Sequence, residues 1–305
     1  MNLESNYIHI PILKNEIIDY FNKTKKEFFL DGTAGEGGHS MEISSRFDLK
    51  KIIILDRDPE MLERAKKRNQ DKAEKLIPLN QNFSDFKKEN LSELEIPGLD
   101  GILLDFGISM YHIKSSGRGF TFRGEEALDM RLSPDLTTTA SDVLNHYKQK
   151  DLERIFLEYG EENWSKKIAE NIFLERKKRK FQINSELVEL IEKTIPRKFW
   201  PPGAHPSYRI FQALRIEVNG ELKHIENGLK NLIPLLREGG IICCISFHSL
   251  EDRIVKNEFR GLQSKNIIEI ISKKPIVPSE NEIRENPASR SAKLRVAMRT
   301  RSEIN

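Results

Sequence analysis

Cysteine is almost absent from this sequence: its 305 residues include two, Cys243 and Cys244, side by side. Neighbours on a strand point to opposite faces, so this pair suits neither a disulfide nor a metal clamp. Two buried thiols of a reducing compartment are the expectation. No apolar run approaches the ~20 residues that a membrane-spanning helix needs. The opening MNLESNYIHIPILKNE has no basic-then-apolar signal pattern. A cytoplasmic protein without a membrane partner is therefore expected. An excess of charge is missing too: 50 basic against 47 acidic residues leave a net charge of +3. Any affinity for nucleic acid must then come from local patches. The seven histidines are scattered and no Cys/His spacing fits zinc, so no metal is expected. There is no internal repeat and no low-complexity tract. At 38% hydrophobic and 32% charged residues, the composition is that of a globular protein with a wet surface.

What is present is an alternation of strand and helix. PILKNEIIDYFN puts Leu13, Ile17 and Phe21 four apart, on one helical face. EFFLD then reads as a strand ending at Asp31. GGHSMEISSRF reads as a helix, KKIIILDRD as a second strand, PEMLERAKKRN as a helix with Pro59 in its first turn, and GLDGILLDFG as a further strand. Continuously apolar strands fit a parallel sheet buried on both faces. The pattern is that of an α/β fold. From about Lys114 to Pro206 buried strands give way to helices, read as an insertion. Beyond it LKHIENGLKNLIPLLREGG reads as an amphipathic helix ended by Gly239-Gly240. IICCISF reads as a strand, HSLEDRIVKNEF as a helix, IIEII as a short strand and AKLRVAMRT as a last one. The expected division is residues 1–113 with 207–305 as a discontinuous α/β domain, and 114–206 as a helical insertion.

The loop after the first strand, Asp31-Gly32-Thr33-Ala34-Gly35-Glu36-Gly37-Gly38, is rich in glycine. Glycine permits positive φ and lets a ligand touch the backbone. In an open parallel sheet, ligands bind at the carboxyl ends of the strands. The spacing does not match the dinucleotide pattern G-x-G-x-x-G, and no P-loop G-K-[ST] follows. The second strand closes on Asp56, where a carboxylate can accept from the hydroxyls of an adenosine ribose. Glycine loop and acid together are shared by nicotinamide and S-adenosylmethionine enzymes. Asp31 and Glu36 favour the latter, since acids repel a pyrophosphate but suit a sulfonium and an amino group.

GILLDFGIS places Asp105 at the end of another buried strand, facing the same crevice. There it can accept from a substrate amine, cap a helix, or hold the methionine part of a cofactor. The following SSGRGFTFRGEEALDMRLSP interleaves Phe120 and Phe122 with Arg118, Arg123 and Arg131. Such a stretch suits base stacking and phosphate contact as well as it suits a loop plugged into the core.

Seven blocks occur in order: DGTAGEGGHS, LDRDPEM, DGILLDFGIS, RGFTFR…LDMR, HPSYRIFQALRIEVNGEL, GGIICCISFHSLEDRIVK and NPASRSAKLRVAMRT. Together they resemble the bacterial small-subunit (16S) ribosomal RNA cytosine-N4 methyltransferases of the RsmH (MraW) type, over nearly the whole chain. The resemblance implies a class I (Rossmann-like) S-adenosylmethionine-dependent methyltransferase with an inserted helical subdomain for substrate recognition. It implies methylation of the exocyclic N4 of a cytidine in the decoding region, with small-subunit ribosomal RNA, in an assembled or assembling subunit, as partner. The family's cofactor site falls on Gly37, Gly38, His39, Asp56, Phe83, Asp105 and His112. Asp105 is also the candidate catalytic residue. The family's usual D-L-G-V-S-S-P-Q reads DFGISMYH here, so Met110 and Tyr111 replace Ser-Pro and His112 stands where glutamine is common.

HPSYRIFQALRIEVN sets Arg209, Gln212 and Arg215 about a turn apart, as an RNA-facing stripe or as a solvated face paired with Glu217 and Glu221. His248, at the end of the strand IICCISF, is a candidate contact to the target base or a cap, with SLED as a capping box. The candidate RNA residues are thus Arg118, Phe120, Arg131, Arg209, Arg215 and His248. The basic runs 175–180 and 289–301 add phosphate affinity without sequence information. Three other readings compete: a methyltransferase for another substrate, a nicotinamide oxidoreductase, and an assembly factor that binds RNA without chemistry.

Overall fold

The computed structural model describes residues 10–300. The chain divides into two compact units, one running to Gly107 and resuming at Leu222, the other spanning Ile108–Glu221. Seven strands form the sheet of the first unit: β1 (Phe28–Asp31), β2 (Lys51–Asp56), β3 (Leu76–Asn80), β4 (Leu99–Asp105), β5 (Leu236–Ser246), β6 (Ile268–Ile270) and β7 (Lys293–Arg299). Their order is β3-β2-β1-β4-β5-β7-β6. The first five pair in parallel, and β7 runs antiparallel to both β5 and β6. This is the mostly parallel, Rossmann-like α/β architecture that the sequence leads one to expect.

Alternation along each strand builds two cores. Leu30, Ile53, Leu55, Ile102, Leu104 and Cys244 face one side, and Phe29, Ile52, Ile54, Leu103, Ile245 and Cys243 face the other. The two cysteines therefore lie in different cores, as free thiols. Helices α1 (Lys14–Phe21), α2 (Gly38–Arg46) and α3 (Pro59–Arg68) cover the second side. Asp58 caps α3 by accepting from the Glu60 N–H at 3.0 Å, and Pro59 sits at its first position.

The strand β3 is absent from the sequence reading. Proline-bearing LIPLN lacks a clean period, and Pro78 is accommodated because β3 is an edge strand that pairs only with β2. A short helix α4 (Lys88–Glu93) follows it.

In the second unit α5 (Met110–Lys114), α6 (Ala140–His146), α7 (Gln149–Glu158), α8 (Ser165–Glu175), α9 (Asn184–Thr194) and α10 (Ser207–Asn219) enclose one core. Among its described residues the only strand-like pairing is an isolated bridge, Ala127 to Ile183. This unit extends past the expected 114–206 at both ends. The reason at the far end is α10, whose Ile210, Phe211, Ala213 and Leu214 are buried in the helical core.

The chain returns through α11 (Glu221–Leu232), whose Ile225, Leu229 and Leu232 join the first sheet core, as do Val255 and Phe259 of α12 (Ser249–Ser264). A last short helix, α13 (Glu280–Glu285), precedes β7. Gly239-Gly240, expected to end the helix, instead lie inside β5. The register passes from Leu99–Leu236 to Gly101–Ile241, so residues 237–240 bulge. Gly239 has φ +78, and a Cβ on Gly240 would lie 2.9 Å from the Arg237 carbonyl oxygen. Among the described residues no helix is long and apolar enough to cross a membrane.

Candidate active site

The parallel pairing of β2, β1 and β4 brings Asp56, Asp31 and Asp105 to the carboxyl ends of three adjacent strands. Asp31 is fully buried. Its Oδ2 accepts from the Ser40 hydroxyl at 2.5 Å and its Oδ1 from the Thr33 N–H at 3.2 Å. Burial pushes its pKa above the ordinary carboxylate value. The bonds from Ser40 and Thr33 and the nearby His39 pull the other way, and the Asp105 charge adds to the rise.

Asp56 accepts from the Gly35 N–H at 2.8 Å and from the Asp58 N–H at 2.9 Å. The Asp105 N–H donates to Thr33 Oγ1 at 2.6 Å, and its carboxylate accepts from the Gly107 N–H at 3.3 Å. His39 Nε2 meets the Ile12 carbonyl oxygen at 2.9 Å. A carbonyl only accepts, so Nε2 carries the proton and Nδ1 is the nitrogen turned to Asp105, 3.7 Å from Oδ2.

Glycines shape the space around these acids. Gly37 has φ +76, and a Cβ there would come within 2.8 Å of the Ala65 Cα on α3. It caps α2, whose first residue is Gly38. Phe83 sits where two glycines make room: a Cβ on Gly228 of α11 would lie 2.3 Å from its ring, and one on Gly32 would lie 3.1 Å from its Cβ. Its ring is tilted against Phe106 at 6.0 Å. Sequence reasoning missed Thr33, Ser40 and Gly228. The signal for Gly228 was available, because a glycine inside an amphipathic helix costs about 1 kcal/mol and asks for a packing reason.

Of the residues expected in the cofactor site, the structure brings together Gly37, Gly38, His39, Asp56, Phe83 and Asp105 within the sheet unit. The profile of the MraW methylase family matches residues 6–300. A protein of Leptospira interrogans named ribosomal RNA small subunit methyltransferase H is 54% identical over 300 residues, covering 97% of this chain and 90% of that one. Namesakes from Sulfurihydrogenibium sp. and Carboxydothermus hydrogenoformans are 45% and 40% identical, each across 95% of this chain, covering 99% and 97% of their own lengths. The chain belongs to the MraW methylase family.

In this methylase the other expected residues have structural partners. His112 lies on α5 of the helical unit, buried, its ring 5.5 Å from Phe120. Phe120 is itself in the helical core at 8% exposure, so it plugs the core and offers no open face for a base. Arg118 donates to the Arg131 carbonyl oxygen at 3.3 Å. Arg131 clamps Asp129 with two bonds of 2.7 and 2.8 Å, and the pair lowers the Asp129 pKa and raises that of Arg131.

Arg215 grips Glu221 through Nε and Nη2, both at 2.9 Å, with both side chains nearly buried. That is the ion-paired alternative for the helix stripe. Arg209 donates to the Glu161 carbonyl oxygen at 3.2 Å and stays half exposed. His248 is the N-cap of α12, accepting from the Glu251 N–H at 3.4 Å, while Glu251 accepts from the Phe247 N–H at 2.7 Å. The capping box thus starts at His248, one residue before the expected SLED. Of the basic runs, Arg179 pairs with Glu186 and Lys178 with Glu175, while Arg301 lies outside the described residues.

Proposed function

We propose that the protein transfers a methyl group from S-adenosyl-L-methionine to the exocyclic N4 of a cytidine in the decoding region of small-subunit ribosomal RNA. The observation that carries this reading is the arc of Asp31, Asp56 and Asp105 around a glycine loop at the strand ends of a methylase-family chain. The name shared by its relatives supports the RNA substrate.

The donor set fits the cofactor. Three carboxylates repel a pyrophosphate and suit a sulfonium, an amino group and a ribose diol. When bound, S-adenosylmethionine supplies a methyl carbon made electrophilic by its sulfonium. Asp56 accepts from the ribose hydroxyls, Phe83 packs on the adenine, and the open side of Gly35 lets the loop backbone meet the ligand, while Gly37 and Gly38 seat the loop against α3. Asp105, positioned through Thr33 and faced by His39, accepts an N–H of the cytidine amine, which aims the nitrogen lone pair. The departing proton passes to Asp105 or to water. A cysteine nucleophile has no part, because Cys243 and Cys244 are buried and burial pushes both thiols up.

The helical unit recognises the substrate, an assembled or assembling small subunit in the cytoplasm, with Arg118 and half-exposed Arg209 supplying positive charge, while Arg131 and Arg215 are held by Asp129 and Glu221. The test is mass spectrometry of nucleosides from small subunits of a strain lacking the gene, after incubation with the protein and labelled S-adenosylmethionine. Label in N4-methylated cytidine is the expected result. Label in another nucleoside overturns the substrate, and cofactor binding without label overturns the enzymatic reading.

A further inference from the structure

The helical unit carries an aromatic cleft of about 400 Å³, lined by Phe122, Arg123, Gly203, Ala204, His205 and Tyr208. Phe122 and Arg123 come from the aromatic and arginine stretch noted in the sequence, and none of the acids or glycines of the candidate active site lines the cleft. Its walls are fixed before any ligand arrives. The Phe122 and His205 rings stack at 4.9 Å and 12°, and Phe211 meets Phe122 edge-on.

His205 is held at both nitrogens: Nε2 lies 3.0 Å from a Glu192 carboxylate oxygen, and Nδ1 accepts from the Ser207 N–H at 3.2 Å. Fully buried Asn184 donates to the carbonyl oxygens of Thr121 and Arg123, at 2.8 and 3.2 Å, which clamps the segment that presents Phe122. Trp200 leans on His205 at 5.5 Å and lies under the Arg197 guanidinium. Tyr208 is 50% exposed, so half of its surface is open to a ligand. Arg123 is exposed, and its guanidinium has no ion pair or hydrogen bond among the described residues. No lining residue is a carboxylate.

Preorganised aromatic faces beside an unpaired cation suit an unstacked nucleobase joined to a phosphate. We propose that this cleft is a second base-binding site. It takes an unpaired base of the substrate RNA other than the one methylated, with Tyr208 and the Phe122–His205 stack holding the ring and Arg123 meeting the adjoining phosphate. Nothing in the lining resembles the hydrogen-bond acceptor that Asp105 offers, so the cleft binds a base without reacting with it. The inference rests on the RNA reading above.

The test uses the full chain with Tyr208→Ala and Tyr208→Phe. Tyr208 is exposed, so neither change threatens folding. Tyr208→Ala is expected to raise the KM for small subunits about 10-fold or more, on the scale of one lost base stack. Its kcat and its affinity for S-adenosylhomocysteine should stay as in the unaltered protein, and Tyr208→Phe should restore KM. A Trp164→Phe background leaves Trp200 as the single tryptophan of the two. Its fluorescence should be quenched by single-stranded oligouridylate, not by duplex RNA, and less so with Tyr208→Ala.

Unchanged KM in Tyr208→Ala, with normal N4 labelling by the unaltered protein, overturns this inference alone. Equal quenching by duplex and single strand also overturns it, as does Tyr208→Phe behaving like Tyr208→Ala. Absence of N4-methylcytidine alongside Tyr208-dependent quenching overturns the proposed reaction and leaves the cleft standing. Quenching by a protein partner instead of RNA would make it a protein-docking surface and would overturn the base site.

Discussion

The Gly35 N–H donates to the Asp56 carboxylate across 2.8 Å, so the first loop and the acid closing the second strand form one hydrogen-bonded edge. Gly35 has φ +50 with nothing within 4 Å of where a Cβ would stand, so the loop is open on that side. Asp56 therefore has two tasks. It shapes the loop, and in the proposed reaction it accepts the ribose hydroxyls.

Replacing Asp56 should disturb both tasks. Asp56→Ala is expected to weaken S-adenosylhomocysteine binding about 10- to 100-fold, the range for hydrogen bonds to a charged group. Asp56→Asn, which keeps one acceptor oxygen, should fall between. Isothermal titration calorimetry reads this directly. Full affinity in Asp56→Ala would remove the residue from the cofactor site.

Gly35 and Gly37 separate two meanings of a loop glycine. Both have positive φ, but only Gly37 faces atoms: a Cβ there would stand 2.6 Å from Asn69 Nδ2 and 2.8 Å from Ala65 Cα. Gly35→Ala should cost about 1 kcal/mol of stability for the backbone conformation alone. Gly37→Ala should cost more, about 2–4 kcal/mol, since α2 and α3 must also separate. Denaturant melts of the two variants test the ordering, and equal losses would show that the close approach to α3 carries no weight.

The sheet was legible because buried parallel strands leave continuous apolar runs, and because each candidate acid closes such a run. The edge strand β3 was not, since an edge carries fewer apolar residues and here tolerates Pro78. Gly239-Gly240 misled because a glycine pair ends a helix and opens a bulge equally well, and only the Leu99–Leu236 register decides between them. The arginines show a harder limit. Composition records that Arg131 and Arg215 are cations, but not that Asp129 and Glu221 already face them. The aromatic cleft joins Phe122 to His205 and Tyr208, more than eighty positions apart, with no periodicity to announce it.

At the opposite end of the sheet Glu27 pairs with Lys50 and with Arg237, which also reaches Asp100. Hydrogen bonds from these two cations hold the Glu27 pKa at about 2, against 4.5 for the free side chain. A depressed folded pKa means stability that is present above the unfolded value and lost as pH falls through the folded one. Between those two values the native protein should therefore lose stability, and Glu27→Gln should flatten that part of the curve. Urea midpoints measured across the interval provide the check. An identical slope in Glu27→Gln would assign the acid sensitivity to other carboxylates.

Cys243 and Cys244 test whether the chemistry needs a protein nucleophile. Only a thiolate attacks, and burial in two separate cores pushes both thiols above their ordinary pKa. A thiol reagent such as dithionitrobenzoate should thus leave the native protein untouched and titrate both cysteines after unfolding. The double change Cys243→Ala with Cys244→Ala should cost about 1 kcal/mol per site for lost core volume. It should retain kcat per folded molecule, because the proposed reaction, in-line transfer to an amine aimed by Asp105, passes through no enzyme-bound intermediate. A fall in kcat beyond the folded fraction would require a covalent step and would remove the in-line route.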